Sequence, residues 1–233
     1  LSFGQPILAI DTCGPSGSVA LGRLAGRDLE ILGQIELEGK TYSATLVAAV
    51  AELLRSAGTE LRGLGGIIVV NGPGSFTGVR VGLSAVKGLA EGNEIPVVAL
   101  SRLEVLSRKS GVPSAALDAH RGEVYLRFER LGVRPVELLA GPAELAAIDP
   151  APVRVAVCDD GAAMLANVWP GTQLVEVAAP VAADAFRLGE GRLTAGFFAD
   201  LALLDGHYLR RSDAEIFGAE AERNPAVAAS KPA

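Results

Sequence analysis

The run Gly66-Ile67-Ile68-Val69-Val70, together with the glycine-rich loop and helix after it, constrains this chain more than any other segment. It has no polar member and is mostly β-branched, so as a strand it must be covered on both faces. The glycine-rich loop Asn71–Gly78 comes next, and from Val79 to about Glu91 the apolar residues recur at helical spacing. A buried strand that turns through glycines into a helix is the building unit of an α/β sheet.

The same grammar recurs on either side. Ile7–Asp11 is a short apolar run ending in an acid. The turn-rich Thr12–Gly17 follows, then the apolar Ser18–Leu21, with a third strand expected at Ile31–Leu37. In Thr41–Ala57, Leu46, Val50, Leu53, Leu54 and Ala57 recur at three- and four-residue steps, which predicts a helix. Pro96–Leu100 reads as a strand. The second half repeats the pattern, with strands at Ala115–Asp118, Glu123–Glu129, Val133–Leu139 and Val153–Cys158. A short helix is expected at Pro142–Ala147 and another after Asp159-Asp160-Gly161. Two hairpin-then-βαβ halves imply an internal duplication with its seam near Ser101–Val112 and mixed, mainly parallel sheets flanked by helices. The expected division is a first lobe over 1–105, a second over 106–217 and a disordered tail over 218–233.

Composition narrows the class. A chain of 233 residues, 49% of them hydrophobic, can bury a real core. Cys13 and Cys158 make no disulfide framework and suit a reducing, cytoplasmic setting. Mean hydropathy is +0.34, yet the uncharged run Gly63–Val79 holds Pro73 and six glycines and cannot be a membrane span. No basic region precedes the apolar start, so neither a signal peptide nor a membrane partner is expected. A net charge of −6 argues against tight nucleic-acid binding by the chain alone.

The loop Gly72-Pro73-Gly74-Ser75-Phe76-Thr77-Gly78 has no Gly-Lys-Ser/Thr ending and does not fit the dinucleotide fingerprint. Two meanings stay open for it: a backbone cradle for an anion, or a tight structural turn. In the helix that follows, Arg80, Ser84, Lys87 and Glu91 form one narrow polar stripe and the remaining surface is apolar or small. The helix at Thr41–Ala57 carries Ala44, Ala48 and Ala51 opposite its leucines. Helices apolar over more than one side are either packed between neighbours or exposed for a protein partner. Asp11 and Asp118 each end the first strand of a half, where a nucleotide-binding fold holds a metal. The turns beside them suit that poorly, and both are expected to be vestigial. Ser75 with His120 or His207 makes a weak hydrolase pair, since Gly-x-Ser-x-Gly is absent. The clusters Arg102/Arg108/Lys109 and Arg210/Arg211 read as solvated faces. No catalytic residue and no metal ligand is assigned.

Four segments carry a resemblance to the bacterial TsaB (YeaZ) family: Ile7–Thr12, Asn71–Gly82 with its Gly-Pro-Gly-Ser-Phe-Thr-Gly-x-Arg motif, Asp118–Tyr125, and Tyr208-Leu209-Arg210. The resemblance implies a duplicated actin/Hsp70/sugar-kinase-like fold. It also implies a part in forming N6-threonylcarbamoyladenosine at adenosine 37 of tRNAs that read codons starting with A. In that family a catalytic paralogue, TsaD, holds the metal, a synthase (TsaC) supplies threonylcarbamoyl-adenylate, and an ATPase, TsaE, completes the set. The TsaB-like member is a non-catalytic scaffold that pairs with the paralogue, or with itself when alone, through its first two helices. Mapped here, those helices are about 41–57 and 77–91, with contacts expected from Tyr42, Leu46, Val50, Val81, Ala85 and Leu89. Tyr42 stands where many members carry His. The isolated chain is expected to hold no cofactor, with ATP or ADP admitted only at the interface of the complex and tRNA reached only through it. Two rival classes remain: a kinase or ATPase of the same fold using Asp11 and the glycine loop, and a peptidase using Ser75.

Overall fold

Strand β1 (Ile7–Asp11) is buried throughout, and the elements around it explain how. The computed structural model describes residues 4–25, 28–39, 41–129 and 133–210; Arg211 and the expected tail 218–233 lie outside them. The first half runs β1, β2 (Gly17–Ala25), β3 (Asp28–Leu37), α1 (Tyr42–Ser56), β4 (Gly66–Val70), α2 (Phe76–Glu91) and β5 (Val97–Leu100). Its strands form one sheet in the order β3-β2-β1-β4-β5. β1 pairs antiparallel with β2 and parallel with β4, side by side in register from Ile7↔Gly66 to Asp11↔Val70.

A helix, α3 (Arg102–Ser110), leads into the second half, which runs β6 (Ser114–Asp118), β7 (Val124–Phe128), β8 (Val136–Ala140), α4 (Pro142–Ala146), β9 (Arg154–Val157), α5 (Gly161–Val168), β10 (Gln173–Glu176) and α6 (Phe186–Thr194). The second sheet is ordered β10-β9-β6-β7-β8. Read from its far edge, this is the first sheet's order again: third strand, second, first, fourth, fifth. The chain therefore has the duplicated actin/Hsp70/sugar-kinase-like architecture. Each sheet has two antiparallel and two parallel pairings. The mixed sheets are thus evenly divided rather than mainly parallel, because the three antiparallel strands that open each half contribute two antiparallel pairs.

The continuous apolar run of β4 reflects cover on both faces. On one face α2 lies so close that a side chain at Gly82 would meet Thr12 and Ile10; on the other, a side chain at Gly189 of α6 would meet Ile68. Residues 182–204 return to the first sheet, where Ala182, Ala185, Phe186, Leu193 and Leu204 join its core. Residue 105 is thus not a clean division of the packing. The seam expected at Ser101–Val112 lies between β5 and β6 and is bridged by α3: Ser101 Oγ accepts from Leu103 N at 3.2 Å, and Gly111 ends the helix in the left-handed conformation. Among the described residues no helix is long and apolar enough to cross a membrane.

Candidate functional site

The glycine loop after β4 is built onto the turn after β1. Ser75 N donates to the Cys13 carbonyl at 2.8 Å, and Thr12 Oγ1 donates to the Gly78 carbonyl at 2.7 Å. Side chains at Gly74 and Gly78 would run into the carbonyl oxygens of Cys13 and Thr12. The two glycines are there for backbone-to-backbone contact. Ser75 Oγ caps α2 by accepting from Gly78 N at 3.3 Å, so its hydroxyl serves the helix. These contacts support the structural-turn meaning of the motif over the anion cradle.

Asp11 lies at the bottom of that turn, 2% exposed. One carboxylate oxygen accepts from Cys13 N at 2.8 Å and the other from Arg102 Nε at 3.4 Å. Arg102 is itself only 5% exposed. The expectation that it belongs to a solvated basic face is corrected: as the first residue of α3 it enters between the halves, with Asp11 and Cys13 on one side and Cys158 on the other. Burial alone would lower its proton affinity, and Asp11, Cys13 and Cys158 together more than offset that. Lys109 also departs from the expected free face, pairing with Asp184 at 2.8 Å. Burial pushes the Cys13 thiol well above its usual range and Cys158 up to about 11, so neither is a ready nucleophile.

Asp118 is turned inward on its own turn. Its oxygens accept from His120 N and pair with His120 Nδ1, both at 2.8 Å. His120, Arg121 and Gly122 run at φ of 60°, 58° and 75°. Arg210 closes the same turn from the far end of the chain, donating to the Ala119 carbonyl at 2.8 Å and pairing with Glu123 at 2.6 Å. Among the described residues, no cluster of three or more His, Cys, Asp and Glu is placed to hold a metal.

The segment ending in Arg210 is a strap between the halves. His207 N donates to the Asn71 carbonyl at 2.7 Å, while His207 Nε2 lies 2.8 Å from Glu137 Oε2 on β8. Ser101 Oγ and Arg127 Nη1 donate to the same carboxylate at 2.6 and 2.8 Å. His207 is therefore engaged by Glu137 and Ser75 by a helix cap, which leaves the hydrolase pair without support. Burial would raise the Glu137 carboxyl, but hydrogen bonds from His207, Ser101 and Arg127 outweigh it and hold it below the usual range. A depressed folded pKa stabilises the fold above the ordinary carboxylate value, and that contribution is lost as pH falls through the lower folded value. Urea midpoints of the parent chain should therefore drop more steeply between about pH 5 and pH 3 than those of Glu137→Gln. Parallel curves for the two proteins would contradict this account.

The other face of the motif opens outward. Between α1 and α2 lies a groove of about 640 Å³, lined by Tyr42, Leu46, Val47, Phe76, Val81 and Ala85 together with Arg80, Ser43, Thr77 and Ser84. Val47 is 58% and Phe76 43% exposed. Of the residues expected to make contacts, Val81, Ala85 and Leu89 are half-buried on α2. Leu46 lines the groove but is only 1% exposed, and Val50 is 2% exposed, so both pack mainly in the core. They share a stripe with Ala49, Leu53 and Leu54 that is used against the sheet, so α1 presents Ser43, Ala44, Val47, Ala48 and Ala51 outward. Tyr42 is also buried, and its hydroxyl donates to the Gly14 carbonyl at 2.9 Å, tying α1 to the β1–β2 turn. Val47 is the outward residue that the sequence reading missed, one position from Leu46.

Comparison with known proteins adds lineage to this geometry. A family model described as TsaD, tRNA N6-adenosine threonylcarbamoyltransferase, matches residues 33–146. The tRNA threonylcarbamoyladenosine biosynthesis protein TsaB of Escherichia coli is 38% identical over 125 residues, 51% of this chain and 52% of that protein. The TsaB of Bacillus subtilis is 39% identical over 123 residues, with the same coverage of 51% and 52%. The chain thus spans about half the length of the curated TsaB relatives it matches. An uncharacterised protein of Mycobacterium tuberculosis is 32% identical over 165 residues, 69% of this chain and 75% of that protein. Among solved structures, YeaZ from Pseudomonas aeruginosa superposes with a TM-score of 0.69 at 25% identity, covering 88% of this chain and 100% of that one. A second Pseudomonas aeruginosa structure, described as similar to peptidase YeaZ, gives 0.72 at 27% identity with the same coverage of 88% and 100%. With its motif loop, its duplicated sheets and these relatives, the chain belongs to the TsaB/YeaZ family.

Proposed function

We propose that this chain is a non-catalytic scaffold in the formation of N6-threonylcarbamoyladenosine on tRNA, acting by pairing through α1 and α2 with the catalytic TsaD-like paralogue. The observation that carries the reading is the apolar groove between those helices, open to solvent and lined by Val47, Phe76, Val81 and Ala85. A contiguous exposed apolar surface of this kind marks an interaction site. The TsaB relatives are described by their part in making this modified nucleoside, and the groove provides a means of taking part without chemistry. A second copy of the chain fills the groove when the paralogue is absent, and a TsaE-like ATPase and tRNA engage the assembled complex.

The Asp11 turn supports the non-catalytic part. The guanidinium of Arg102 sits on the carboxylate that would hold a metal, and a fixed cation there repels a second one. The turn after Asp118 is likewise filled, by His120 and by the arm of Arg210. The residues present do not fit a metal-bound nucleotide, so the kinase or ATPase alternative has no support at either acid. An adenine nucleotide is admitted only at the interface of the complex.

An omission assay tests the proposal. Unmodified tRNA, threonine, bicarbonate, ATP, the synthase, the paralogue and the ATPase are combined with and without this chain, and modified nucleoside is measured by mass spectrometry. Product is expected only when the chain is present, and none from the chain alone. Equal product in both tubes would end the scaffold reading.

A further inference from the structure

We propose that Arg80 is the polar anchor of the groove, held by Phe76 and Tyr208 so that its outer edge takes a carboxylate of the catalytic paralogue that fills the groove. The inference rests on the groove being the pairing surface. The Arg80 guanidinium lies 3.7 Å from the centroid of the Phe76 ring and 5.9 Å from that of Tyr208. The two rings are 5.3 Å apart and tilted by 46°. Arg80 Nε donates to the Tyr208 hydroxyl at 3.3 Å, which fixes the rotation of the planar group. Its two terminal amino groups have no acceptor among the described residues, and the side chain is exposed.

A guanidinium held by stacking with its outer fork unpaired is arranged for bidentate contact with a planar anion. Because the stack already orders the side chain, little freedom remains to be lost on binding. Arg80 and Phe76 line the same groove as Val47 and Ala85. An apolar patch with an ordered arginine and aromatic rings at its margin has the makeup of a binding hot spot. A carboxylate is favoured over a nucleic-acid phosphate for two reasons. No other charged side chain lines the groove, and a chain of net charge −6 lacks the clustered positive surface that tracks a phosphate backbone. Tyr208 also gives the strap a second role, since the segment that joins the halves sets the geometry of the anchor.

The test measures affinity for the catalytic paralogue of the same organism by titration calorimetry, using the full chain and four variants: Arg80→Ala, Arg80→Lys, Tyr208→Phe and Ala85→Glu. Circular dichroism confirms that each is folded. Arg80→Ala and Arg80→Lys should each weaken pairing about tenfold or more, since lysine keeps the charge and loses both stack and fork. Tyr208→Phe should have a smaller effect in the same direction. If both Arg80 variants bind within about twofold of the parent while Ala85→Glu abolishes binding, the anchor is overturned and the groove stands. If Ala85→Glu also binds normally, the groove reading falls and the anchor with it. Normal binding by Arg80→Lys alone would mean that charge suffices, which overturns the bidentate contact. Unchanged pairing with weakened tRNA retention by the assembled complex would assign the fork to phosphate instead and overturn the carboxylate.

Discussion

Arg102→Leu is expected to destabilise the folded chain by about 3–5 kcal/mol, the usual cost of leaving one member of a buried ion pair without the other. Asp11 is 2% exposed, and Arg102 supplies the cation beside it. Leucine fills part of the volume and none of the charge. Chemical denaturation of the parent chain and the variant, followed by circular dichroism, gives the difference directly. The double variant Asp11→Asn, Arg102→Leu should recover more than half of the loss. Asparagine still accepts from Cys13 N, and the uncompensated charge is gone. This cycle separates charge from packing: a double variant as unstable as Arg102→Leu would mean that Arg102 acts by filling space. A single-variant cost below about 1 kcal/mol would mean that the pair is solvated after all.

That arginine also shows where sequence reasoning stopped. Apolar runs and β-branching located two central strands, Ile7–Asp11 matching β1 and Gly66–Val70, read as covered on both faces, matching β4. Two-face burial leaves an unbroken apolar run, and its short length, β-branched content and flanking glycines mark it as a strand rather than a buried helix. The duplication was legible for the same reason, because both halves open with an apolar strand ending in an acid. Four features were missed. Arg102 stands in a run with Arg108 and Lys109 that looks like any solvated face, and only the path of α3 between the halves buries it. The Ser101–Glu104 spacing and Gly111 were local signals for α3, but Glu104 is taken by Arg192 at 2.7 Å instead of completing a capping box. α6 holds Gly189 and Gly191, which lower helix propensity. Its place is set by Ile68, against which a residue with a side chain at 189 would not fit. On α1 the period was right and the face was off by one residue, since an alanine-rich outer side gives periodicity little contrast between inward and outward.

That one-residue difference decides the choice of variants for the largest functional effect. Val47→Glu and Ala85→Glu are each expected to lower affinity for the paralogue by about 100-fold or more, which corresponds to about 2.7 kcal/mol. A carboxylate forced into a desolvated apolar contact has no partner to offset its lost hydration. Val47 is 58% exposed in the single chain, so its replacement should change folding stability by only about 0.5 kcal/mol or less. Leu46 and Val50 would be poor choices, because a charge there would disrupt the core and abolish pairing for an uninformative reason. Val153→Glu provides the control: that residue is 81% exposed and lies outside α1 and α2, and pairing should be unchanged. Sedimentation velocity of each variant, alone and mixed with the paralogue, reads both self-association and the mixed pair. The groove assignment requires that Val47→Glu and Ala85→Glu remain folded monomers and fail to shift the paralogue. Normal complexes from both would place the pairing surface elsewhere on the molecule. Loss of the mixed pair with self-association intact would assign the groove to the paralogue and a different face to the homodimer. In either event the proposed scaffold role requires that the omission assay, repeated with the same variants, track the mixed pair.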